Sequence, residues 1–458
     1  MTALAHGVGS SSDLPLPLDL VLQAGAATVV VSFLISALWW RKPRLAGGVP
    51  RTARTAGWLP VLRWLVLALT VYLVGNALLG PAGETNPAAH AVFVWLWVGL
   101  VPVSAVFGPV WRAVNPLRTL FRVLRLPASG LRPGGGAGVW PAAAWLLLFV
   151  WFELVAPGRA DPRLIGWGLI SYGVVQLGMA ALRGEEWFAR GDCFEVYSEL
   201  AGRLSPVRWR GLLRGLAVPL SSTASSVSAV GLAALVAVWW GSTVVDSAFG
   251  SPWWAGFVQR AGHPAWWATG ALVLICLGVL VAVRKTAGGL DVTASLIPIA
   301  VGYTLAHYLS LLIVEGPRGV LLLVQQWGLA SEARWDVVPI PAVIAGVQVG
   351  LILAGHVAGV IVAHDAALEA GVRAPAKQAV AGVARAAERG TAGVGLDDEA
   401  LAAADADLRD SGRGAAKADL EGSGRAERPM LATLAEEFPL VLFMIGCTWA
   451  GLFLLFVR

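Results

Sequence analysis

The chain has 458 residues, of which 57% are hydrophobic and 14% charged, with 22 Trp and a mean hydropathy of +0.69. That is too apolar and too poor in charge for a soluble domain, and it predicts an all-α, polytopic transmembrane helical bundle whose first partner is the lipid bilayer. The formal net charge of +5 does not point to nucleic acid, because Lys and Arg sit in short segments between apolar runs rather than along one stripe.

A spanning helix needs roughly 20 apolar residues, and ten such runs are found, at about 19–40, 58–80, 89–111, 140–157, 164–183, 222–247, 266–283, 292–314, 341–363 and 434–456. Nothing positively charged precedes the first run, and Asp13 is the one charged residue there, which suits an outside N-terminus. Alternate loops then face the cytoplasm. They carry 27 of the 34 basic residues, against six on the outer side and Arg63 within the second span. This asymmetry predicts ten spans with the N-terminus and C-terminus outside. Residues 1–365 form the main bundle, with basic cytoplasmic loops at 112–138 and 184–215. Residues 366–430 form a low-complexity cytoplasmic linker rich in Ala, Gly, Asp and Arg, and 431–458 the final transmembrane helix. The three cysteines lie far apart, so neither a disulfide framework nor a CxxC metal site is implied.

The run WRAVNPLRTLFRVLRLP (Trp111–Pro127) sets Arg118, Arg122 and Arg125 opposite Leu117, Phe121 and Leu124, the pattern of a basic amphipathic helix on the inner leaflet. Such basic loops also offer a docking surface for a membrane-protein partner. The segment Arg183–Arg210 mixes acids, bases and aromatics and predicts one or two interfacial helices. In the ninth run, Gly346 and Gly350, then Gly355 and Gly359, repeat the four-residue spacing that lets helices approach closely.

Ionisable groups at membrane depth are costly and usually face the bundle interior or a wet cavity. His307 lies in the eighth run, with Glu315 just past its end, and Gln348 and His356 lie in the ninth, with His364 at its end. At about 1.5 Å rise per residue, His307 falls at roughly the depth of Gln348, whereas His356 lies deeper toward the inside. Residues eight apart are displaced by about 12 Å, so neither His307 with Glu315 nor His356 with His364 forms a compact site alone. Asn76, His90, Glu153, Asp246 and Tyr303 supply further polar groups in the outer half. We expect an outward-facing pocket of His90, Glu153, Asp246, His307 and Glu315. His307, Asp246 and Glu153 are its candidate catalytic residues, and His307, Glu315, His90 and His356 its candidate ligands for Zn²⁺ or another divalent metal ion. The alternative for His307 is a hydrogen bond to a neighbouring helix, for His356 a structural role, and for His90 and Asp246 an interfacial position. His364 and Asp365, at the inner surface, are expected to face water or headgroups. No HExxH-like spacing supports the metal.

Five runs, VNPLRTLFR (Val114–Arg122), WFARGDCFEVYSELAGRLSP (Trp187–Pro206), GSTVVDSAFGSPWW (Gly241–Trp254), PIAVGYTLAHYLSLLIVEG (Pro298–Gly316) and QVGLILAGHVAGVIVAHDAAL (Gln348–Leu368), resemble a family of actinobacterial integral membrane proteins commonly labelled fenitrothion hydrolase. The resemblance implies hydrolysis of an apolar organophosphorus ester, a small-molecule substrate arriving through the lipid. It brings no catalytic motif with it, and the long Ala-rich linker departs from the family. With only four Lys and abundant Ala, Gly, Val and Arg, the composition fits a high-GC bacterium and its plasma membrane. The residues leave open a hydrolase, a transporter or permease, a haem-binding subunit with His307 and His356 as axial ligands, and a membrane scaffold. The transporter reading lacks an inverted repeat or a matched pair of broken helices in the sequence.

Overall fold

The computed structural model describes residues 18–40, 42–45, 57–131, 138–209, 213–216, 229–286, 293–391, 442 and 444–453, with 370–391 as backbone alone. Helix α1 is Leu18–Trp39 and α2 Leu59–Leu79. A π-helix, His90–Val98, runs into α3, Leu100–Phe107, and short α4 (Val110–Val114) and α5 (Pro116–Val123) follow. Next come α6 (Trp140–Leu154), α7 (Pro162–Arg183) and the short α8 (Phe188–Gly191), α9 (Cys193–Ala201) and α10 (Pro206–Trp209). The remainder is α11 (Ala229–Phe249), α12 (Pro252–Ala261), α13 (Pro264–Thr286), α14 (Thr293–His307), α15 (Leu309–Gln325), α16 (Pro341–Thr391) and α17 (Met444–Phe453).

The described residues form helices and no strands. Among the described residues seven helices are long and apolar enough to cross a membrane, and an eighth crossing arises if α14 and α15, bent by 63° at Tyr308, count as one span. The two other apolar runs are shorter helices, α6 and α17. Several long apolar helices of this kind are compatible with a multi-pass membrane protein. The N-terminal stretch holding Asp13 and the linker beyond Thr391 lie outside the described residues. Up to Thr391 the Ala-rich segment, expected to be a low-complexity linker, continues α16 as helix, as the high helix propensity of Ala favours.

Of the two glycine pairs in α16, one is used. A Cβ on Gly355 would stand 2.6 Å from the Pro298 carbonyl oxygen, and one on Gly359 would stand 2.7 Å from that of Ser295. Gly302 of α14 faces Gly355 with equally little room, 2.6 Å from the Leu351 oxygen. Backbones thus cross in direct contact, which places α14 and its polar residues against α16. Gly346 and Gly350 meet nothing within 4 Å.

Three expectations are corrected. The basic run 111–127 is two short helices broken at Asn115, whose side chain caps α5 by accepting from the Leu117 N–H. Its Arg118 is buried rather than spread on a leaflet, because Glu195 and Glu185 neutralise it. The segment 184–205 folds back into the bundle rather than lying on its surface: Trp187 and Gly191 bond Gln176, and Asp192 bonds Tyr172 in the middle of α7. His364 and Asp365 are likewise buried. Asp365 accepts the Trp40 indole N–H and the Arg44 backbone N–H, each at 2.7 Å, and His364 Nε2 lies 2.9 Å from the Trp40 oxygen.

The Gly355 crossing yields a paired test. Gly355→Ala forces a methyl against Pro298 and is expected to cost about 1–3 kcal/mol, read as a lowered Tm in detergent. Gly346→Ala, facing open space, leaves Tm unchanged or raises it through the better helix propensity of Ala.

Candidate functional site

Helix α11 enters the bundle through an apolar run and ends in GSTVVDSAF, so that Asp246 and Ser247 arrive together one turn from its end. Helix α14 brings Tyr303 and His307, four apart on one face, and Tyr308 follows where the helix breaks. The carboxylate Oδ2 of Asp246 lies 2.7 Å from His307 Nε2 and accepts the Tyr308 hydroxyl at 3.0 Å. On the other side of the imidazole, Ser247 Oγ stands 3.0 Å from Nδ1 and 2.8 Å from the Tyr303 hydroxyl. None of these side chains is more than 4% exposed. Beneath them Tyr197 stacks on Trp97 at 4.9 Å and edge-on to Trp239 at 4.5 Å, and the Trp239 indole donates to Thr304.

Glu153, from the last turn of α6, is buried within electrostatic reach of Asp246, Tyr308 and Arg159. Its Oε2 has no hydrogen-bond partner among the described residues. The structure therefore pairs Asp246 with His307 and places Glu153 within electrostatic reach of Asp246. Of the expected metal ligands only His307 is here; the other three fall elsewhere. His90 and Glu315 pair with each other at 3.1 Å, and Arg318 donates to the second Glu315 oxygen at 2.6 Å. His356 donates from Nδ1 to the Ile352 carbonyl of its own helix. Gln348 donates to the Ala306 oxygen, level with His307, and His356 is eight residues farther along α16, roughly 12 Å away. Among the described residues no group of three or more His, Cys, Asp or Glu side chains comes together that could hold a metal ion. No family model matches the chain. Neither do curated proteins or solved structures.

Ser247 was not legible as a site residue. Its hydroxyl carries one proton and has two acceptors in reach, His307 Nδ1 at 3.0 Å and the Thr243 carbonyl at 3.1 Å. With the proton on the Nδ1 side, His307 is neutral and donates from Nε2 to Asp246. If His307 takes a second proton, Nδ1–H donates to Ser247, and the Ser247 proton turns to Thr243. Ser247 keeps a lone pair for the Tyr303 hydroxyl in both arrangements. The five groups thus accommodate a proton arriving or leaving with only a hydroxyl rotation.

A second polar cluster was also missed. Arg118 forms a fork with Glu195, Nε to Oε2 at 2.7 Å and Nη2 to Oε1 at 2.6 Å, and reaches Glu185 at 3.1 Å. Asn115 joins it by donating to Asp192, the cap of α9. Partial burial pushes Glu185 upward, but Arg122 and Arg118 outweigh it and hold the carboxylate below its ordinary range. That contribution to stability is present above the ordinary carboxylate range and is lost as pH falls below it, through the depressed value. The signal in the sequence was the pairing of NPLR with GDCFE, whose charges are complementary.

This network ties α5 to the folded-back segment, and breaking one member leaves a buried charge. Arg118→Ala is expected to cost about 3–5 kcal/mol, measured by thermal unfolding, with Arg118→Lys restoring only part because an ammonium cannot reproduce the fork.

Proposed function

We propose that this chain is a proton-coupled membrane transport protein whose protonation centre is Asp246 and His307. The observation that carries the reading is a carboxylate 2.7 Å from an imidazole, wholly buried, at the point where a membrane helix breaks by 63°. Intramembrane Asp, Glu and His groups mark proton relays, and discontinuous helices build the binding sites of many transporters. Glu153 adds a second carboxylate on the α6 side. On this reading all ten apolar runs lie in a bacterial plasma membrane with both termini outside, α6 and α17 being short spans. Support for the orientation is the concentration of basic residues in alternate loops.

A second reading is favoured by one observation. Ser247, His307 and Asp246 link hydroxyl, imidazole and carboxylate in the order used for nucleophilic hydrolysis. It agrees with the resemblance to the proteins labelled fenitrothion hydrolase. Against it, Ser247 is 1% exposed, so an ester has no visible approach.

Two variants separate the readings. In sealed proteoliposomes with an internal pH dye, Asp246→Asn is expected to reduce proton uptake to background. Ser247→Ala retains measurable flux, because Tyr303 and Thr243 remain. Hydrolysis of an organophosphorus ester by detergent-solubilised protein, falling by roughly 10³-fold or more in Ser247→Ala, would instead establish the hydrolase. Orientation is tested in intact cells with an impermeant maleimide, the native cysteines being buried. Leu329→Cys, exposed after α15, labels from outside, and Leu131→Cys, exposed after α5, does not.

A further inference from the structure

The Asp246 centre is closed on every described side, so a solute reaches it only if some element moves. Helices α11 and α14 are held by buried apolar packing and, for α14, by the backbone crossing with α16. Helix α15 is held differently. It buries Glu315, Gly316, Gly319 and Leu323 and leaves Val320 half exposed. At its middle α15 is fastened to the π-helix by the His90–Glu315 pair, by the Trp95 indole donating to the Gly316 oxygen at 2.9 Å, and by close packing at Gly319, where a Cβ would come within 2.6 Å of the His90 Cβ. At its far end Gln326 is hydrogen-bonded to Asn76 of α2 and reaches the Thr85 oxygen, while the Trp327 indole donates to the Tyr72 hydroxyl at 2.9 Å. The fastenings at this far end are side-chain hydrogen bonds, individually worth about 1 kcal/mol.

At the near end is a hinge. Tyr308 has φ −99° and ψ 11°, off the helical run on both sides, and its hydroxyl is the one that Asp246 holds. Within α15, Pro317 removes the N–H that would bond the Ile313 carbonyl, and Trp335 supplies a side-chain donor to that oxygen at 3.4 Å. We propose that α15 is a hinged arm that opens and closes access to the Asp246–His307 centre, turning at Tyr308 and latched to α2 through Asn76, Gln326, Tyr72 and Trp327. The inference rests on the transport reading for what passes, but not for the motion itself.

The test fixes the latch. Asn76→Cys and Gln326→Cys, joined by a short bis-methanethiosulfonate linker, tie the arm to α2, and wild type treated with the same reagent is the control. The tied protein is expected to lose proton uptake at least tenfold and to recover it on reduction. Spin labels at Val320→Cys and Leu79→Cys, both exposed, follow the motion independently of transport. The distance between them is expected to broaden toward longer values when the latch is weakened by Gln326→Ala with Trp327→Phe. Full uptake in the tied protein, or a distance distribution unchanged by weakening the latch, overturns the arm. If untied wild type moves no protons while the spin-label distance still responds, the transport reading fails and the arm stands.

Discussion

A charge placed inside a low-dielectric bundle survives only with a partner, and the arrangement around Asp246 follows from that constraint. His307 and Tyr308 both donate to one carboxylate oxygen, which fixes the rotation of α14 against α11. The Gly302–Gly355 crossing then fixes the distance of α14 from α16. Apolar packing alone would leave both helices free to turn about their axes. The polar centre therefore sets orientation, and the glycines set spacing.

The same rule recurs away from the centre. Arg118 is matched by two carboxylates, Glu315 by His90 and Arg318, and Asp365 by an indole and backbone N–H groups. Each set joins stretches distant along the chain, so each acts as a tertiary clasp between segments that lipid-facing Leu and Val cannot distinguish. The folded-back segment containing α8 and α9 is the clearest case: it carries Asp192 and Glu195 into the bundle because Asn115, Arg118 and Tyr172 are there to receive them.

Irregular backbone appears where these groups gather. The π-helix begins at His90, α4 gives way to α5 at Asn115, and α14 gives way to α15 at Tyr308. Groups released at such breaks need donors or acceptors inside the protein, since lipid offers none. Asn115 caps its own break, and Trp335 serves the Ile313 oxygen left by Pro317. Breaks of this kind are also where π-bulges and discontinuous helices serve function in membrane proteins.

The amino-acid sequence by itself determined the class: apolar runs of span length form long helices compatible with crossing a bilayer, and their length is a local property of the chain. It also singled out Asp246, His307 and Glu153, because ionisable types are rare in such runs. Tertiary structure decided the partners. His307 is paired across 61 positions with Asp246 and Arg118 across 77 with Glu195, so Arg118 read alone looked like a leaflet-facing charge. Ser247 carried the same kind of signal as any helix-end hydroxyl until His307 came beside it. Gly346 and Gly355 stand in identical local patterns, and only the approach of α14 distinguishes them. Spacing reports which residues share a face; which face meets which depends on contacts between segments that no local pattern specifies.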